Sequence, residues 1–187
     1  MRIVFFFLAA LILISCTPKQ TQSESNVCAI FKQHPQWYVH AKNAEEKWGV
    51  PVAVQMAVIY QESKFQANLK DTKNSPFYGY SQAHNETWEV YKKENKVSGD
   101  RDEFDATTDF IGWYGKKAKD MDIDTDDPYH FYLVYASGFG SYKDGNYKKN
   151  QELQQIAQKV ADQAKIYQKQ LDTCKLGLQS HWWKFWE

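Results

Sequence analysis

Residues 51–65 read Pro-Val-Ala-Val-Gln-Met-Ala-Val-Ile-Tyr-Gln-Glu-Ser-Lys-Phe. Pro51 suits the first position of a helix, where a missing N–H goes unnoticed and the fixed φ is already helical. Val52 to Tyr60 is apolar nearly all round. The spacing therefore predicts a central helix buried on every side, not an amphipathic surface helix. Such a helix needs others around it.

The flanking sequence supplies them. Trp37, Ala41, Ala44 and Trp48 recur at three- or four-residue steps, and Gly49 provides the stop. Asn68 to Tyr80, rich in Asp, Asn, Ser, Pro and Gly, reads as a long loop. Thr87 begins a short helix from Trp88 to about Asn95. Asp100 or Asp102 is placed to cap another, carrying Phe104, Thr108, Ile111 and Tyr114 on one face. Asp127-Pro128 opens a tyrosine-rich helix that stops near Gly138. Leu153, Ile156, Ala157, Val160, Ala161, Ala164, Tyr167 and Leu171 mark one long amphipathic helix. No segment alternates with the period of a strand. The fold class is mainly α.

The chain has 187 residues with 23 basic and 23 acidic side chains. That length fits one globular domain with a sizeable core. Balanced charge argues against nucleic acid as a partner, which calls for a basic excess. A mean hydropathy of -0.68 excludes a polytopic membrane protein. Aromatic residues at 16% exceed what a core needs.

Met1-Arg2 precedes twelve apolar residues, Ile3 to Ile14. A helix of that length spans about 18 Å, short of the roughly 30 Å hydrocarbon layer, and fits a secretory signal. Leu13-Ile14-Ser15-Cys16 resembles the lipobox of bacterial lipoproteins. The resemblance implies cleavage before Cys16 and lipidation there, with several acyl chains anchoring stably. Thr17 follows where an Asp would signal inner-membrane retention, so the expected location is the outer membrane, facing the periplasm. Residues 1–15 are then signal, 16–26 lipidated cysteine and flexible tether, and 27–187 the folded domain. Cys28 and Cys174 are left over in an oxidising compartment, where a disulfide is expected and two separate buried thiols are the competing reading. The histidines and cysteines show no metal-ligand spacing, and no metal or cofactor is expected.

Glu62 stands where the buried helix ends. A carboxyl group among apolar side chains, near the negative end of a helix, has its pKa raised. That keeps it protonated near neutral pH, as a general acid requires. On these residues alone, a solvated glutamate at a helix end is the competing reading.

Glu62-Ser63 with a following aromatic, Gly79-Tyr80-Ser81-Gln82, the Thr87 helix and Leu133-Val134-Tyr135 before a glycine turn together resemble the lytic transglycosylases. Trp48 to Pro51, Gly79 to Ala83 and Asp109 to Tyr114 match a lipoprotein branch of that superfamily. The resemblance implies a lysozyme-like domain that cleaves peptidoglycan strands between N-acetylmuramic acid and N-acetylglucosamine. It makes Glu62 the general acid, then base. Ser63 belongs to the same motif and serves the substrate site by positioning its loop. Gln82 hydrogen-bonds sugar, Tyr80 lines the cleft, and the Tyr135 hydroxyl orients the Glu62 carboxyl. Tyr80 and Tyr135 also read as core aromatics, and Gln82 as a loop cap.

A glycosidase normally pairs two carboxylates across the bond. With Glu62 alone, the substrate's own C6 hydroxyl is the natural nucleophile, giving a 1,6-anhydro product. Hydrolysis by water assisted by Asp71 is the alternative. The family offers Asn or His after the tyrosine where this chain has Ala136-Ser137, which removes a side-chain hydrogen bond to substrate. A weakly catalytic or inactive glycan-binding lipoprotein, docking an envelope partner of unknown identity, is therefore the runner-up. In the tail, Trp182, Trp183, Phe185 and Trp186 read as a segment folded over an apolar groove, as a sugar platform or as an interfacial anchor.

Overall fold

A computed structural model describes residues 26–70 and 75–179. Cys16, Asp71 and the aromatic tail lie outside the described residues, as do the signal segment and most of the tether.

Among the described residues, eight α-helices carry the fold. Helix α3 (Val52–Ser63) is its axis, with every residue from Val52 to Tyr60 buried. Helices α1 (Val27–Gln33) and α2 (Pro35–Trp48) precede it. Helices α4 (Asn85–Asn95), α5 (Phe104–Lys119), α6 (Pro128–Ser137) and α7 (Phe139–Lys143) follow, and α8 (Gln151–Gln179) closes the chain. The long α8 lies along α3 and α6, while α2 packs on α5. Burying α3 all round requires neighbours on each side, and α8, α2 and α5 provide them.

Helix ends follow local chemistry. Gly49 takes φ +80° and ends α2, a conformation glycine adopts without steric cost. The Asp127 carboxylate accepts the Tyr129 and His130 N–H groups at the start of α6. Pro51 is the cap residue of α3, one position outside the helix. The expected Asp cap of α5 is absent. Glu103 holds that position without a side-chain bond. Asp102 instead accepts the Tyr78 hydroxyl at 2.7 Å, and Asp100 the Arg101 N–H at 2.7 Å.

The Asn68 to Tyr80 stretch is not all loop. Phe77–Tyr78 (β1) pairs antiparallel with Ala83–His84 (β2), Phe77 opposite His84. Two residues are too short to show alternation in sequence. Helix α4 starts at Asn85, because His84 Nδ1 accepts the Glu86 N–H.

Cys28 and Cys174 are bonded, tying α1 to α8 across 146 residues. The Trp48 and Asp109 motifs meet in space. Trp48 Nε1 donates to Asp109 Oδ1 at 2.8 Å, and the Tyr91 hydroxyl donates to Oδ2 at 2.8 Å. Gly112 lets the indole approach: a Cβ there would lie 2.4 Å from Trp48 Cδ1. The buried Gln55 Nε2 donates to the Ala41 and Val50 carbonyls at 3.0 and 2.8 Å, joining α2 to α3.

Candidate active site

Helix α3 delivers Glu62 to a cleft of about 440 Å³. Phe77, Gln82, Ala83, His84 and Thr87 form one wall; Phe110, Tyr114, Tyr132 and Tyr135 contribute rings, and Ala136 to Gly138 the far rim. Glu62 is the single carboxylate among the described lining residues.

Burial pushes the Glu62 carboxyl up to about 7. The hydrogen bond from Tyr132 and the positive charge of Lys64 pull the other way without cancelling it. The Tyr132 hydroxyl donates to Glu62 Oε1 at 2.8 Å. Burial and the adjacent carboxylate raise the Tyr132 phenol, which stays protonated as a donor. A half-protonated carboxyl near neutral pH, held by a fixed donor, suits a group that gives a proton and later takes one.

The positions read from sequence divide. Glu62, Gln82 and Tyr135 meet at the cleft. Tyr135 does not hydrogen-bond Glu62 as expected; its hydroxyl donates to the Ser81 carbonyl at 2.8 Å. Tyr132 makes that bond. One helical turn separates the two tyrosines, so both fall on the same face of α6, and spacing alone does not choose between them. Ser63 is fully buried and donates to the Ile59 carbonyl at 3.1 Å within its own helix, so it does not reach substrate. Tyr80 is no cleft residue either. It packs edge-on against Trp37 and Phe104 in a buried aromatic cluster. The pattern places Tyr80 next to Gln82 in sequence, but the turn between them sends the two side chains to different surroundings.

Gln82 is built to hold the loop. Its Nε2 donates to the Gly79 and Leu69 carbonyls at 2.7 and 3.0 Å. Its φ is +47°, and Lys64 and Phe65, directly after the Glu62 helix, take φ +51° and +62°. Left-handed backbone at non-glycine residues costs energy and persists where surrounding structure enforces it. Of these three, Gln82 lines the cleft, and Lys64 and Phe65 turn the chain directly after Glu62. Gly79, at φ +78°, cannot be replaced, since a Cβ would lie 2.1 Å from the Arg101 carbonyl oxygen.

Phe77, His84 and Tyr114 also line the cleft, and no motif in the sequence marks the first two. The Asp-Phe-Ile-Gly-Trp-Tyr stretch ending at Tyr114 was the one available signal. Among known families, the chain matches the one described as transglycosylase SLT domain, over residues 4–174. No curated protein and no solved structure matches the chain. A match across nearly all of the chain, together with a mainly α fold that sets one glutamate at the end of a buried helix, assigns the chain to the transglycosylase SLT-domain family.

Proposed function

We propose that this protein is a lytic transglycosylase that uses Glu62 as its sole acid and base. The family's chemistry is lytic cleavage of peptidoglycan. The observation that carries the finer reading is the one carboxylate of the described cleft, with its pKa raised to about 7 and Oε1 held by Tyr132.

The steps follow from that geometry. Tyr132 occupies Oε1 and leaves Oε2 to carry the proton. Protonated Glu62 gives it to the oxygen joining muramoyl C1 to the next N-acetylglucosamine, and the C1–O bond breaks. The resulting carboxylate removes the proton from the muramoyl C6 hydroxyl. O6 then bonds to C1, closing the 1,6-anhydro ring and returning Glu62 to its acid form. The nucleophile is already tethered to the reacting carbon, which favours ring closure over attack by water.

Purified wall sacculi test this. Wild-type protein releases muropeptides lighter by one water than hydrolytic products, and Glu62→Gln releases none. Release by Glu62→Gln at the wild-type rate, or products carrying the extra water, overturns it.

A second reading has its own support. At the far rim, Ala136 offers no polar side chain, and the Ser137 hydroxyl donates to the Leu133 carbonyl at 2.6 Å. That rim therefore grips substrate weakly, as in a slow or glycan-binding protein. The two readings separate on wild-type turnover.

The signal and lipobox sequences support anchoring at Cys16 in the outer membrane, with the domain reaching the wall on its tether. Cys16→Ser moves such a protein from the membrane fraction to the soluble one.

A further inference from the structure

Resting on the reading of the cleft as a glycan site, we propose that Phe77 and His84 form a sugar-binding lip that sets affinity for the chain beyond the cut. Phe77 supplies a stacking face for an N-acetylglucosamine ring, and His84 a hydrogen-bond donor beside it.

Phe77 is 42% exposed. Of the large hydrophobic side chains left exposed among the described residues, it is the one aromatic and the one that lines the cleft. Folding gains little from a ring in that position. A pyranose gains from it: the C–H bonds on one sugar face carry partial positive charge, and an aromatic face carries negative charge.

The ring is held in place rather than loosely attached. Phe77 and His84 are cross-strand partners, their rings 5.4 Å apart at 73°. Arg101 clamps the strand pair, its Nη1 donating to the Pro76 and Ala83 carbonyls at 2.9 and 2.8 Å. The Asn85 N–H adds a bond to Pro76 O at 3.1 Å. Strand alternation sends the neighbouring Tyr78 elsewhere, where its hydroxyl bonds Asn68 and Asp102. A preformed aromatic face loses little freedom on binding.

His84 Nδ1 accepts the Glu86 N–H at 3.3 Å. In the neutral ring this assigns the proton to Nε2, which becomes a donor. The histidine thus does two jobs, capping α4 and offering an N–H beside the exposed ring. Hydroxyl and acetamido oxygens of an N-acetylglucosamine are the acceptors it suits.

The test measures calorimetric binding of chitotetraose, four β-1,4-linked N-acetylglucosamine units, to full-length Glu62→Gln protein, so that no substrate is consumed. Phe77→Leu keeps apolar bulk but loses the aromatic face, and weakens binding about tenfold or more. Phe77→Trp holds affinity within about threefold. His84→Asn, whose short amide retains a cap for α4, weakens binding several-fold. In otherwise wild-type protein, Phe77→Leu raises KM on sacculi and leaves kcat nearly unchanged. Equal affinity of Phe77→Leu and its parent overturns the lip, as does a parent that binds no chitotetraose. Lack of wild-type activity on sacculi counts against the catalytic reading alone, because the binding measurements still decide the lip.

Discussion

The Tyr132 hydroxyl donates to Glu62 Oε1 at 2.8 Å and lowers the pKa of a carboxyl that burial raises. The two influences have different sources, since the cleft walls supply one and a single hydroxyl the other. They are therefore separable by substitution.

On the proposed mechanism Glu62 must be protonated to start the reaction, so kcat/KM is expected to be flat below its pKa and to fall about tenfold per pH unit above it. In wild type the fall begins near 7. Tyr132→Phe removes the interaction that favours the carboxylate, so its limb moves to higher pH. Its plateau drops about five- to tenfold, the worth of one hydrogen bond to a reacting group. A pH–rate profile on sacculi reads both effects.

The raised carboxyl also burdens the fold. Glu62 titrates at about 7 folded, against an ordinary value of 4.5. Between those values the folded chain holds a proton that the unfolded chain has lost, so stability falls as pH rises through that window. The loss amounts to at most about 3 kcal/mol and is complete above pH 7. Glu62→Gln escapes it. Denaturant melts at about pH 4 and about pH 8 therefore give near-equal stability first, and a more stable variant second.

Gly112→Ala drives a methyl group into the Trp48 ring, with Cδ1 at 2.4 Å and Cγ at 2.8 Å. The indole has little room to retreat, because Nε1 is bonded to Asp109. Overpacking of this kind costs about 1–3 kcal/mol. The variant melts earlier, by calorimetry, while Glu62 keeps its surroundings.

Replacing both Cys28 and Cys174 by serine removes a constraint spanning 146 residues. Loop-closure entropy puts the loss at about 4–5 kcal/mol. Thermal melts of the double variant, compared with wild type under oxidising and reducing conditions, check it. The oxidised wild type melts highest, and reduction brings it toward the variant.

Helices with a run of apolar spacing, or with a proline or glycine at an end, were legible in the sequence. Helix α3, the Gly49 stop and the Asp127 cap were all readable one segment at a time. What escaped depended on contacts across the fold. Asp102 is a good cap by local rules, yet Tyr78 claims its carboxylate from 24 residues away. The β1–β2 pair is too short to leave a period, and its register rests on Arg101. Glu62 was legible because helix polarity and apolar sequence act locally. The choice of Tyr132 over Tyr135 was not, because both share a face of α6 and only contacts made across the fold send one to Glu62 and the other to Ser81.

The bond between Cys28 and Cys174 also decides how the protein carries a mechanical load. A pull on the chain ahead of Cys28 does not strip α1 from the body one turn at a time. The covalent link passes the force into α8, which lies along both α3 and α6. A load applied at that end is then borne jointly by the first helix and the last.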